Sequence, residues 1–177
     1  MKHFEIEQKY RLRSPGFTRK VLKRLGARMV FRKKEVNDIW DFEGRFLTRG
    51  TVLRLRRYGR QRSGLLTCKG PRVAGQYKKR LETELSVDCG KMSDILSWLG
   101  FERVAYYEKK REEYVIGKCH VTLDHISGAG WFLEIEGSPS QIHSLARKLG
   151  LSDTDHEDRS YLELYRQANG SKRKRSL

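Results

Sequence analysis

Segment after segment of this chain carries charge on one face and apolar side chains on the other. Along residues 4–13, Glu5, Glu7, Lys9, Arg11 and Arg13 fall on one side of an extended backbone. Phe4, Ile6, Tyr10 and Leu12 fall on the opposite side. The division recurs where Arg54 and Arg56 alternate with Leu53 and Leu55, and where Lys69 shares a face with Leu65 and Thr67. It recurs again with Arg80, Glu82 and Glu84, with Lys109, Arg111 and Glu113, with Asp124 beside Thr122, and with Glu134 and Glu136 around Ile135. For a single strand, a solvated outer face explains such a pattern. Repetition along the whole chain requires a surface for all the apolar faces. A closed antiparallel barrel with helices packed outside provides one, because the apolar faces turn outward onto helices and the charged faces line the lumen. The expected class is therefore α+β and β-rich. A charged lumen is tolerable only if it is wet and its charges are paired or liganded.

Three segments carry helix punctuation. In SPGFTRKVLKRLG, Ser14 is placed to cap, Pro15 suits the first turn and Gly26 the end, with Phe17, Val21, Leu22 and Leu25 as the buried stripe. KMSDILSWLG offers Met92, Ile95, Leu96 and Leu99 before Gly100, and SPSQIHSLARKLG runs from Ser138 and Pro139 to Gly150. Strands are expected at 52–59, 65–70, 80–87, 107–116, 119–124 and 131–137, with turns at 59–64, 70–75, 117 and 128–130. Glu5-Ile6-Glu7 precedes the first helix as Glu82-Thr83-Glu84 precedes the second, which suggests two similar halves closing one barrel.

The inward set sorts by sign. Lys9, Arg54, Arg56, Lys69, Arg80, Lys109 and Arg111 are its cations; Glu5, Glu7, Glu82, Glu84, Asp124, Glu134 and Glu136 are its acids. Such a set can stand as ion pairs, or it can hold a ligand that is itself of two signs, a phosphate chain with a divalent metal. Arginine and lysine clamp phosphate oxygens, and carboxylate oxygens meet Mg²⁺ or Mn²⁺.

Composition narrows the partners. With 38 Lys+Arg against 22 Asp+Glu, the formal charge of +16 favours anionic ligands. The basic end SKRKRSL suggests a domain over 1–168 and a disordered tail over 169–177. Cys68, Cys89 and Cys119 fit neither a disulfide framework nor a zinc site. No apolar run approaches the ~20 residues of a membrane span, and no N-terminal signal segment is evident, so the expected location is the cytoplasm without membrane contact. A homodimer is the default expectation for assembly.

In order along the chain, EIEQK (5–9), TVLRLRR (51–57), LTCKGP (66–71), RLETE (80–84), EKKRE (108–112), LDHISGAGWFLEIEG (123–137) and DRSYLEL (158–164) resemble the CYTH family of triphosphate tunnel metalloenzymes. That family includes class IV adenylate cyclases and thiamine triphosphatases, and the GAGWFLEIEG and SYLEL stretches look closer to the cyclase branch. The resemblance implies an eight-stranded antiparallel barrel, a triphosphate tunnel and a requirement for Mg²⁺ or Mn²⁺. Position by position it implies metal-side carboxylates at Glu5, Glu7, Glu134 and Glu136, and a phosphate clamp of Lys9, Arg54, Arg56, Lys69, Arg80, Lys109 and Arg111. Glu82 and Glu84 would bind metal or orient the attacking group; with Lys9 they form the implied catalytic set. Asp124 would bind metal or hold an arginine in position, and Tyr161 would close one end of the tunnel.

The implied reaction is cyclisation of ATP to cyclic AMP and pyrophosphate. The alternative is hydrolysis of inorganic triphosphate, thiamine triphosphate or an RNA 5′-triphosphate. A non-catalytic binder of nucleic acid would account for the positive charge, with Tyr58, Tyr77 and Tyr107 as stacking candidates, but not for acids on the same faces. A non-catalytic polyphosphate binder has less need of those acids. His3, His120, His125, His143 and His156 are expected in surface or structural roles, and Trp40, Trp98 and Trp131 as packing residues. Asp41 resembles a family position near the tunnel mouth, although a turn role is equally open.

Overall fold

The computed structural model describes residues 3–75 and 77–173; residues 174–177, the end of the expected basic tail, lie outside the described residues. Eight strands form the sheet: β1 (His3–Leu12), β2 (Arg28–Asp41), β3 (Val52–Tyr58), β4 (Ser63–Lys69), β5 (Lys78–Asp88), β6 (Glu102–Ile116), β7 (Cys119–Ile126) and β8 (Gly130–Glu136). They close into a barrel in the order β1-β5-β4-β3-β2-β6-β7-β8, with antiparallel pairing. Exchanging β1 to β4 with β5 to β8 leaves this cyclic order unchanged, read in the opposite sense, and the repeated E-x-E segments open the two sets. The helices are α1 (Pro15–Arg24), α2 (Arg45–Thr48), α3 (Cys89–Trp98), α4 (Pro139–Lys148) and α5 (Tyr161–Arg173). None of the helices is long and apolar enough to cross a membrane.

The contacts divide the chain into two compact units. The first contains residues 34–108 and the chain's beginning through Glu5. There Arg54 and Arg56 take one face of β3, while Leu53 and Leu55 join Trp40, Cys89 and Leu96 in a core against α3. Phe46, Leu66, Val87, Met92 and Phe101 pack around it. The apolar side of these strands thus meets a helix, as the alternation requires.

The second unit contains residues 6–33 and 109 onward. Same-face pairs Val121–Ile135 and Leu123–Leu133 are all buried. Helix α4, which packs on β8, buries Ile142, Leu145 and Ala146. Helices α1, α3 and α4 each end in leucine followed by a glycine with φ of 77°, 82° and 70°, the left-handed closing residue that ends a helix cleanly.

Several local expectations are revised. Ser14 makes no side-chain cap to α1, whereas Ser138 forms a full capping box with Gln141. Helix α3 starts at Cys89, capped by Asp88 on the Lys91 N–H, and its Ile95 and Leu99 are exposed rather than buried, as is Phe17 of α1. Strand β2 escapes any period-two reading because its first half is exposed and its second half buried on both faces. Helix α2 is too short to show a period; Asp41 creates it by accepting the Phe42, Phe46 and Leu47 N–H groups at 2.7, 3.0 and 3.2 Å. Of the two roles open to Asp41, the turn role is the one seen. Helix α5 opens on a reciprocal box, Glu163 N–H to Ser160 Oγ and Ser160 N–H to Glu163, and carries helical backbone into the expected tail.

Candidate active site

The first unit holds Glu5, Arg54, Arg56, Lys69, Arg80, Glu82 and Glu84. Lys69 Nζ sits 2.7 Å from Glu5 Oε2 and 2.6 Å from Glu82 Oε2. Burial and the neighbouring Glu82 carboxyl raise Glu5 above its ordinary value. For Glu82, burial is outweighed by its interaction with Glu5 and by the charges of Lys69 and Arg54, and it titrates low.

Along the same face, buried Thr67 donates to Glu84 at 2.7 Å and accepts from Arg54 at 3.4 Å. Arg56 reaches Tyr58 Oη at 3.4 Å and lies 3.8 Å from Glu35, a carboxylate with no exposed surface. Arg80, half-buried on β5, shares its face with Glu82 and Glu84 by alternation.

The second unit holds Glu7, Lys9, Lys109, Arg111, Asp124, Glu134, Glu136 and Tyr161. Asp124, fully buried, accepts Arg111 Nε at 2.8 Å and Nη2 at 2.6 Å, and Lys109 Nζ at 3.1 Å. Burial would raise its pKa; the charges of Arg111 and Lys109 override this and hold it far below the ordinary range. Arg111 also donates to Glu134 at 3.0 Å, and Lys9 approaches Glu134 at 3.7 Å. Glu134 too is driven low: burial is outweighed by Lys9, Lys109 and Arg111. Lys9 and Lys109 stand 4.1 and 4.3 Å from the Tyr161 ring centroid, so the aromatic face joins two buried ammonium groups. Burial, then Asp124 and Glu134, keep the Tyr161 phenol protonated well above its ordinary range. Glu7 and Glu136 lie directly opposite in the β1–β8 register, a placement of like charges that is favourable only with a cation or proton nearby.

Four contributors were not legible beforehand. Glu35 and Thr67 support the arginines of β3. Glu157, with Arg11 at 3.0 Å, anchors the segment whose Arg159 carbonyl accepts Lys9 Nζ at 2.6 Å. Glu112 is held by Arg19 at 2.8 and 2.9 Å, Arg32 at 3.2 Å and Tyr114 at 2.7 Å, on the face opposite Arg111, as a structural tie. The S-x-x-E spacing of Ser160 and Glu163 was the one available signal for the ordered C-terminal segment.

The donor set accommodates a hard divalent ion in a particular way. Asp124 accepts from both Lys109 and Arg111. Glu5 and Glu82 both lie against Lys69. Among the described residues no three His, Cys, Asp or Glu side chains are grouped around one point. Mg²⁺ commonly binds proteins through one or two carboxylates and keeps water and phosphate oxygens as its other ligands.

The protein is thus a barrel of eight antiparallel strands with buried, carboxylate-paired cations on alternate strand positions. Residues 3–161 match the CYTH domain, and the chain belongs to that family. Adenylate cyclase CyaB of Aeromonas hydrophila is 29% identical, covering 93% of this chain and 90% of that protein. A provisionally named adenylate cyclase of Methanocaldococcus jannaschii is 31% identical over 90% and 97%. Among solved structures, a Vibrio parahaemolyticus protein, also provisionally named an adenylate cyclase, superposes with a TM-score of 0.81 at 24% identity over 93% and 98%. A Hippeastrum protein described as having a dominant triphosphatase activity superposes at 0.71, with 18% identity over 92% and 95%. These two show the shared fold. CYTH enzymes are adenylate cyclases or triphosphatases and use divalent metals.

Proposed function

We propose that the chain is a metal-dependent enzyme acting on a triphosphate held within its barrel, of class IV adenylate cyclase type, converting ATP to cyclic AMP and pyrophosphate. The observation that carries this reading is the burial of Lys9, Arg54, Arg56, Lys109 and Arg111, each at most 9% exposed, on alternate positions of barrel strands. Ion pairs often do not return the full cost of burying a cation, so five buried together favour a bound polyanion. The names of the curated relatives favour the cyclase.

In this reading Lys9, Lys109 and Arg111 bind phosphate oxygens within the second unit, and Arg54, Arg56, Lys69 and Arg80 do so within the first. Asp124 keeps Lys109 and Arg111 fixed and charged, so they need no reorganisation as charge moves toward the leaving pyrophosphate. Glu5 and Glu82 in the first unit, and Glu7, Glu134 and Glu136 in the second, are the candidate carboxylates from which Mg²⁺ or Mn²⁺ would draw one or two ligands, and the ion would supply charge neutralisation on the phosphates. Glu84, exposed and held by Thr67, orients the attacking hydroxyl. In a triphosphatase the same carboxylate would orient water toward the terminal phosphorus. The Hippeastrum neighbour's described activity favours keeping that second reading.

The test is a product assay with ATP, thiamine triphosphate and inorganic triphosphate, each with Mg²⁺ and with Mn²⁺. Cyclic AMP with equimolar pyrophosphate supports the cyclase; orthophosphate alone makes the protein a triphosphatase. Tight binding of triphosphate without any product would reduce the site to a binding module.

A further inference from the structure

On β2, Asn37 is fully buried, and neither its amide nitrogen nor its amide oxygen has a hydrogen-bond partner among the described residues. Unmade bonds of this kind are rare inside proteins and costly, which points to a partner supplied from outside the chain. Its surroundings say what kind. In the β2–β3 register Asn37 pairs with Arg56, and Arg54 is its diagonal neighbour on the same face. Arg54 is itself 92% buried, and its Nε has no acceptor among the described residues. An anion-seeking guanidinium and an unmatched carboxamide therefore adjoin on one sheet face within one unit.

The two demands differ chemically. Phosphate oxygens accept hydrogen bonds and donate none, so they can satisfy Arg54 and the Asn37 amino group, but never the Asn37 oxygen. That oxygen needs a donor placed beside an acceptor.

We propose that Asn37 is a specificity residue that reads an amino group next to a ring nitrogen on the organic part of the substrate, with Arg54 binding the phosphate chain it carries. This edge occurs in adenine, and asparagine pairs with it in a bidentate manner. The inference deepens the triphosphate reading above and rests on it: the substrate is a triphosphate ester of an amino-substituted heterocycle, not inorganic triphosphate.

The experiment compares wild type with Asn37→Leu, which keeps the branched outline of the side chain and removes both unmet polar atoms. Such a replacement is expected to fold, with a melting temperature equal to or above wild type. Initial rates and dissociation constants are measured with ATP, purine riboside triphosphate (which lacks the 6-amino group) and inorganic triphosphate. The expected result is that the ratio of kcat/KM for ATP to that for inorganic triphosphate falls about 10- to 100-fold in the variant, the scale of one bidentate base contact. Purine riboside triphosphate should show the same deficit in wild type and little further loss in the variant. Equal effects on ATP and inorganic triphosphate, or a wild type that prefers inorganic triphosphate, would overturn the role of Asn37 while leaving the triphosphate reading intact. Failure to bind any of the three would sink both.

Discussion

Asp124→Asn removes one negative charge at nearly constant volume from the most enclosed part of the site. Asp124 is fully buried and carries the Nε and Nη2 donors of Arg111 on its two oxygens, with Lys109 Nζ sharing Oδ2. After substitution, Arg111 keeps Glu134 at 3.0 Å and Lys109 keeps the Tyr161 ring at 4.3 Å, but both lose the Asp124 charge, and the new amide presents its own donors toward them. Breaking a buried pair from one side costs about 3–5 kcal/mol because the remaining charge stays desolvated. For a chain of this length, each kcal/mol moves the melting temperature by about 2–4 °C, so the variant should melt roughly 6–20 °C below wild type at pH 7. The pH dependence adds an independent check. The folded Asp124 pKa is depressed, so its contribution is fully present above the ordinary aspartate value of about 4 and is lost as pH falls toward the folded value. Thermal unfolding followed by circular dichroism from pH 7 to pH 3 should show wild type losing this increment below about pH 4 and the variant lacking it. A variant melting within 2 °C of wild type at pH 7, with the same acid slope, would refute the assignment of Asp124 as the counter-charge of Lys109 and Arg111.

Lys9→Ala should lower triphosphate turnover by at least ~10²-fold, the scale of losing one strong transition-state contact; a folded variant with full activity refutes the clamp. Because burial and the neighbouring Glu82 raise Glu5, Mg²⁺ uptake there should release protons and strengthen as pH rises through the raised Glu5 value, and EDTA should abolish turnover. Calorimetry in buffers of different ionisation enthalpy measures that release, and a buffer-independent heat would contradict it. Gly64→Ala should destabilise strongly, by about 1–3 kcal/mol or more, because a Cβ there runs into the Arg56 carbonyl oxygen and the Cys89 sulfur; urea unfolding measures the loss.

The barrel, its class and the identity of the charged residues were legible because a strand's side-chain period is two. A stripe such as Glu5-Glu7-Lys9 or Arg54-Arg56 declares its face without knowledge of its neighbours. Strand β2 was not legible for the same reason in reverse, since residues 35–41 are buried on both faces and show no period. Glu35 and Asn37 were hidden with it. Helix α5 was announced by Ser160 and Glu163, yet residues 158–164 drew attention to family likeness instead of to a capping box.

Partnership lay beyond the sequence. Alternation places Lys69, Glu82, Asp124 and Glu134 on charged faces, but which acid meets which cation depends on register. Register is set by pairing residues far apart in the chain, as when Arg111 is brought opposite Asp124 and Lys69 opposite Glu82. So the sequence alone determined a barrel with charged strand faces and the residue types on them, because local periodicity carries that information. Tertiary structure alone decided that Asp124 braces cations, that Glu5 and Glu82 meet on Lys69, and that Asn37 is left without a partner among the described residues. Each of those outcomes depends on distance and desolvation, which arise only when separate strands are packed together.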